Sequence, residues 1–183
     1  LELLIGAQLT GDIRLSDLPQ VTASQLAEMD LEKDLSAAKE ASYSLYSAKL
    51  TLDDAEEEVK DKGKEYNHNE KNYEYVMAQH QWQAAQHNYA ASVQNYEMSF
   101  RTLYLQVKDY KQVLDAAKTA LAVEQDNYAT AQLKQSQGRL SQNALLDAKD
   151  KVTEAQEKVD GAAIDLFTAY HNYRWAVDHG ILN

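Results

Sequence analysis

Residues that interrupt helices or form crosslinks are scarce in this sequence. It has no cysteine, a single proline (Pro19) and six glycines among 183 residues. Without cysteine the chain can form no disulfide and carry out no thiol chemistry, but this absence does not choose a cell compartment. Because proline and glycine are the strongest interruptions of helices, their scarcity after residue 30 predicts long helices and an all-α fold.

Positive charge and long apolar runs are also lacking. Lysine and arginine number 18 against 29 aspartates and glutamates, for a formal net charge of −11. Such a chain repels phosphate, so we expect no nucleic-acid partner, and no basic cluster favours an anionic bilayer. No run approaches the ~20 apolar residues that a membrane helix needs. We therefore expect no direct membrane span in this chain.

Motifs for catalysis and for metal binding are missing. His80 and His87 would lie about 10 Å apart along a helix, too far to share a metal without other ligands. The sequence has no His-Glu-x-x-His, no phosphate-binding glycine loop and no calcium loop. Long hairpins also offer no cleft in which a base could activate a serine. We predict no catalytic, cofactor-binding or metal-binding residues, no cofactor, and a protein that is not an enzyme.

Apolar residues recur at spacings of three and four along most of the chain, which is typical of helices packed on one face. The stripe from Leu145 to Ala176 alternates these steps regularly, as in a left-handed coiled coil. Residues 1–30 instead hold short apolar pieces between glycines and Pro19. We therefore predict a connector over 1–30 and a helical coiled coil over 31–183, with helices at about 31–62, 70–137 and 141–178.

Helix length suggests how these helices are arranged. At 1.5 Å per residue they would measure about 48, 102 and 57 Å. The two shorter helices together match the long one. We predict elongated antiparallel coiled-coil hairpins, in which one long helix is flanked by two half-length helices stacked end to end.

Polar and glycine-containing segments mark the predicted helix ends. Residues 61–71 are polar and contain Gly63, so they form either a turn, which we favour, or a solvated part of a continuing helix. Gly138 is expected to close the long helix with a positive φ, and Ser141 to cap the next one. Gly180 is expected to end the last helix.

The segment around Gly138 resembles the C-terminal hairpin of TolC-type outer-membrane efflux proteins. The resemblance rests on Gln137-Gly138-Arg139-Leu140-Ser141, Leu145-Leu146-Asp147-Ala148, Tyr170 and Gly180. The N-terminal segments Leu1-Glu2-Leu3-Leu4-Ile5-Gly6 and Ile13-Arg14-Leu15-Ser16-Asp17-Leu18-Pro19 look like the end of the family's first half-repeat and the crossing to its second. The chain would then be a second half-repeat. The family's barrel strands would enter at about 61–71, so the resemblance implies a helical duct without that insertion.

The resemblance also implies functional residues. Adaptor proteins would dock at the turn, here Gly138, Arg139, Leu140 and Ser141. Asp147 matches one acidic position of the family's pore constriction, whereas Ala144 replaces the acidic residue three positions earlier. Gln135 and Leu140 stand where some members place the tyrosine and arginine that lock the closed state. The implied ring is therefore weaker, and gating by that lock is in doubt.

By this resemblance the chain is a non-enzymatic, secreted component of transport or efflux in the cell envelope, periplasmic or otherwise extracytoplasmic. It would act as a duct wall or adaptor-docking scaffold. Its partners would be further copies of itself, three in the family, and periplasmic-adaptor-type or transporter proteins. The alternative is a coiled-coil structural, adhesion or protein-interaction module with no transport role. An amphipathic lipid-binding bundle is less favoured because the surface is acidic and the heptad seam narrow.

Overall fold

The computed structural model describes residues 20–182 of the chain. Within this range the protein is all-α and contains no strand, which confirms the predicted fold class. The five helices of the described range are α1 (Ala23–Ala27), α2 (Leu31–Ala41), α3 (Tyr43–Glu65), α4 (Tyr73–Ser136) and α5 (Gln142–His179). Residues 1–19, most of the predicted connector, lie outside the described residues, as does Asn183.

The long helix and the last helix have nearly the predicted bounds. Helix α4 was expected over about 70–137 and α5 over about 141–178, so each end differs from the expectation by only a few residues. The predicted connector contains the short helix α1 within its described part. Thr22 begins α1 with a capping box, in which its side chain accepts from the amide of Gln25 and the Gln25 side chain accepts from the amide of Thr22.

The helix predicted over about 31–62 is in fact two helices, and this part of the prediction is corrected. Ser42 separates α2 from α3 with extended backbone (φ −76°, ψ 108°). Its side chain caps α3 by accepting from the amide of Leu45 at 3.4 Å. Sequence analysis missed this break because no glycine or proline marks it.

The polar segment between α3 and α4 forms the expected turn, slightly later than predicted. Gly63 remains inside α3, and the chain reverses over residues 66–72. Asn67 and His68 have positive φ there, at 49° and 54°. The amide of His68 donates to the carbonyl of Gly63 at 2.8 Å, so the turn is closed by backbone hydrogen bonding.

The described helices belong to two compact units. One contains residues 117–164, an antiparallel pair made of the end of α4 and the start of α5. Its buried apolar residues are Ala131, Ala155, Val159 and Ala162. Small alanines and one valine give this unit a narrow seam, as the heptad pattern predicts.

The other unit contains residues 21–116 and 165–182. Its core lies where α2, α4 and the last turns of α5 meet. Phe100 and Tyr173 are fully buried there, with ring centroids 5.4 Å apart. The hydroxyl of Tyr173 donates to the carboxylate of Asp34. Helix α2 thus lies beside the end of α5, and α3 lies beside the earlier part of α4.

Candidate functional site

The turn from α4 to α5 is a Schellman motif centred on Gly138. Its φ is +71°, the left-handed conformation that favours glycine. The amide of Gly138 donates to the carbonyl of Gln135 at 2.9 Å, and the amide of Arg139 to that of Lys134 at 2.9 Å. These two bonds satisfy carbonyls that the end of a helix leaves free. The predicted positive φ at Gly138 is confirmed.

The start of α5 is capped as the sequence predicted. The side chain of Ser141 accepts from the amide of Ala144 at 3.2 Å. Across the turn, the side-chain amide of Gln135 donates to the side-chain carbonyl of Gln142 at 3.3 Å. Local hydrogen bonds therefore cap both helix ends and fix the conformation of the turn, which remains accessible to solvent.

The candidate docking residues are accessible. Gly138, Arg139 and Ser141 are exposed, and Leu140 is half-buried. No heavy atom outside the immediate chain neighbours lies within 4 Å of a Cβ built on Gly138. The structure brings these four residues together because they are consecutive, and Gln135 contacts them through the hydrogen bond from the amide of Gly138 to its carbonyl.

Asp147, the candidate pore residue, is exposed on the second turn of α5. It has no ion-pair partner among residues 20–182. Ala144, where the family carries a second acid, is half-buried. In the single chain Asp147 is thus a solvated carboxylate, and any role in lining a pore requires neighbouring copies.

Two exposed leucines near the turn were missed by sequence analysis. Leu133 on α4 is 61% exposed and Leu146 on α5 is 47% exposed. Leu133 lies two positions after Ala131, and Leu146 lies one position after Leu145, so neither belongs to the apolar stripe of its helix. They supply apolar surface beside the candidate docking turn.

A second apolar feature missed by sequence analysis follows α4. Five apolar residues recur at every seventh position on its solvent side, and all are exposed: Met77, Ala84, Ala91, Met98 and Leu105. We call this set the outer stripe. Leu105 is 57% and Met98 54% exposed, so the larger members present apolar surface to water in the single chain.

The outer stripe lies opposite the face of α4 that packs inside its unit. Each of its members follows a core-facing residue by two positions, and those residues are Tyr75, Trp82, Tyr89, Tyr96 and Leu103. Two positions correspond to a rotation of about 200° around a helix. This part of α4 is therefore apolar on two opposite faces, whereas a surface helix ordinarily has one apolar face.

The turn between α3 and α4 carries the most connected polar group of the described chain. Lys62 donates to Glu65 at 3.1 Å and to Glu74 at 2.9 Å, and Tyr66 donates to Glu74 at 2.7 Å. Hydrogen bonding to Glu74 raises the pKa of Tyr66 to about 12, and the same bond lowers the pKa of Glu74. Glu65 and Glu74 are exposed and Lys62 and Tyr66 are half-buried, so the group closes a hairpin at the surface without enclosing a site.

Metal sites and membrane helices were sought over the same range. Among residues 20–182, no three histidine, aspartate or glutamate side chains are grouped so that they could hold a metal ion. None of the described helices combines the length and the apolar character needed to cross a bilayer.

Comparison with protein-family models, with curated proteins and with solved structures found no match to this chain. The resemblance to TolC-type proteins therefore remains a prediction that rests on the sequence.

Proposed function

We propose that this chain is a non-enzymatic component of a cell-envelope transport or efflux assembly. Several copies would pack side by side to form the helical wall of a duct, and the turn at Gly138–Ser141 would dock a periplasmic-adaptor-type or transporter protein. The observation that supports this proposal best is the outer stripe, because its larger members Met98 and Leu105 give α4 apolar surface that stays exposed within residues 20–182.

The outer stripe has the properties of a lateral contact. Complete burial of a methionine or leucine side chain contributes about 1.5–3 kcal/mol, so Met98 and Leu105 alone supply a substantial driving force. A helix with apolar stripes on opposite faces can contact its own hairpin on one side and a neighbouring copy on the other. Repetition of that contact builds a continuous wall.

The candidate docking turn supports the same proposal. It is held by backbone hydrogen bonds, so its binding would not require a loop to be ordered first. Leu133 and Leu146 offer exposed apolar area next to the polar residues of the turn. Partner interfaces typically combine an apolar centre with a polar rim of this kind.

A duct also needs a water-filled path. Asp147 is exposed, and its carboxylate would be repeated once per copy in a closed ring. A ring of aspartates favours cations over anions along the path. The absence of an acid at Ala144 makes the ring weaker than the family's pattern implies.

The first experiment tests the lateral contact. Sedimentation velocity of the wild-type chain is compared with the double variant Met98→Glu, Leu105→Glu. We expect the wild type to form a discrete oligomer and the variant to remain a monomer at the same concentration. The matched control is Gln83→Glu, Gln106→Glu, which adds the same charge at exposed polar positions of α4 outside the register of the outer stripe and should still associate. A wild-type chain that stays monomeric at high concentration contradicts the proposal.

The second experiment separates the duct from the alternative, a coiled-coil structural or adhesion module. Both associate, but a wall closes on itself, whereas a spacer or adhesion module gives rods or open filaments. Negative-stain electron microscopy of the oligomer should reveal closed rings with a central lumen. Rods without a lumen would favour the structural module. Binding to liposomes would favour the amphipathic lipid-binding bundle.

A further inference from the structure

The junction between α2 and α3 is broken although its sequence does not require a break. The segment from Leu31 to Glu65 has no proline, and its only glycine is Gly63. Its apolar stripe passes through the junction without a change of register, since Leu35, Ala38, Ser42 and Leu45 are spaced by three and four and are all buried. A continuous helix would place the same residues in the same core.

The break is accompanied by an exchange of hydrogen-bond partners. In a continuous helix the amide of Ser42 would donate to the carbonyl of Ala38. Here that amide donates to the carbonyl of Lys39 at 3.2 Å. The carbonyl of Ala38 accepts instead from the hydroxyl of Tyr96 at 2.9 Å. The carbonyl of Ala38 thus exchanges a backbone amide donor for a hydroxyl donor from α4.

The end of α5 is seated on this junction. Gly180 is buried, with φ +65°. A Cβ at this position would lie 2.4 Å from the amide nitrogen of Ser42 and 2.5 Å from the carbonyl carbon of Ala41. Contacts this short involve backbone atoms, which cannot move aside like the end of a side chain. The close approach therefore requires a glycine at 180, and it is made at the backbone of the break itself.

We propose that the junction is a hinge with two states, controlled by residues 180–182. With Gly180 seated, α2 and α3 are separate helices. With residues 180–182 withdrawn, the amide of Ser42 returns to Ala38, that of Tyr43 pairs with Lys39, and the two helices become one. The withdrawal is local, because Ile181 is 49% exposed and Leu182 is only half-buried. This inference does not depend on the proposed function.

Hydrogen exchange of individual amides, measured by NMR on the whole chain, distinguishes the two states. The amides of Tyr43 and Ser44 begin α3 and have no carbonyl one turn earlier in the same helix, whereas a continuous helix would protect them. We expect Gly180→Ala to slow their exchange at least about tenfold. The matched control is Gly138→Ala. It also places a side chain at positive φ but meets nothing within 4 Å, and it should leave these two amides unchanged.

A second variant keeps the test decisive if Gly180→Ala unfolds the chain. Ser42→Ala removes the hydroxyl that caps α3 and introduces the residue with the highest helix propensity. It should slow exchange at Tyr43 and Ser44 in the same way. The proposal is overturned if either variant, while folded by circular dichroism, exchanges these amides as fast as the wild type or faster.

Discussion

The buried hydroxyl of Tyr173 has the carboxylate of Asp34 as its hydrogen-bond acceptor. Tyr173 is 0% exposed and donates to Asp34, whose side chain also accepts from the amide of Asp30 at 3.1 Å. Removing the acceptor leaves a buried donor unsatisfied, so Asp34→Ala should lower the free energy of unfolding by about 1–3 kcal/mol. Urea denaturation measures the change. Asp54→Ala, which removes an exposed carboxylate, should change it by less than about 0.5 kcal/mol.

Buried tyrosines also make the free energy of unfolding depend on pH in the alkaline range. Burial raises the pKa of Tyr173, of Tyr96 and of Tyr170. The unfolded chain releases these protons near the ordinary tyrosine pKa of about 10, whereas the folded chain keeps them. The unfolded state therefore binds fewer protons above that pH, and the free energy of unfolding falls as pH rises. Below about pH 10 this contribution is fully present.

Urea unfolding between about pH 8 and pH 11 checks this dependence. We expect Tyr173→Phe to be less stable than the wild type at pH 8 and to lose less stability between the two pH values. Tyr43→Phe removes a hydroxyl from a ring that is 79% exposed and serves as the control. An equal loss in Tyr173→Phe and in the wild type would show that Tyr173 does not carry the effect.

Within single helices, replacing glycine by alanine should change the stability of the protein differently at two positions. Gly161 lies in α5 with nothing within 4 Å of a built Cβ, whereas a Cβ at Gly63 in α3 would lie 2.6 Å from Cε1 of His68. Alanine is favoured over glycine in a helix by about 1 kcal/mol. Gly161→Ala should therefore stabilise by about 0.5–1 kcal/mol.

Gly63→Ala should lose part of that gain, because the added methyl group would meet the ring of His68. The ring of His68 must shift, and its contact with the hydroxyl of Tyr75 at 3.2 Å is disturbed. Thermal unfolding followed by circular dichroism compares the two variants. If Gly63→Ala stabilises the protein as much as Gly161→Ala does, the ring of His68 can move aside at no cost.

Helix ends were predictable from the sequence where a glycine or a capping residue marks them. Gly138 and Ser141 carry their own turn and cap chemistry, and the structure places both as expected. The break at Ser42 was not predictable because no local signal marks it, and the contacts made there by Gly180 and the hydroxyl of Tyr96 are tertiary. A serine inside an uninterrupted apolar stripe does not predict such a contact.

The candidate site was partly predictable for a similar reason. Its docking turn consists of consecutive residues, so the motif that marks them also brings them together. The outer stripe required knowledge of which face of α4 packs inside the unit. In the sequence, Met77 and Met98 are two apolar residues among many on a long helix, and only the exposed fractions of 38% and 54% set them apart.

Net charge opposes association at the scale of the whole molecule. Each chain carries a formal charge of −11, so copies repel one another at low ionic strength, while the proposed apolar contact through the outer stripe would be insensitive to screening. We expect the dissociation constant of the oligomer to fall as salt rises above about 0.1 M, where the Debye length is about 10 Å. Sedimentation equilibrium at several salt concentrations checks this. Weaker association in high salt would point to contacts between opposite charges.

The sizes of the outer-stripe residues set the geometry of anything packed against them. Ala84 and Ala91 lie between the bulkier Met77 and Met98, and the spacing of helix axes, ordinarily 8–10 Å, follows the side chains at the contact. A neighbouring helix would approach α4 most closely at the two alanines and be held away on either side of them. In the proposed assembly, this variation in spacing would set the curvature between successive copies, and hence how many of them complete a circle.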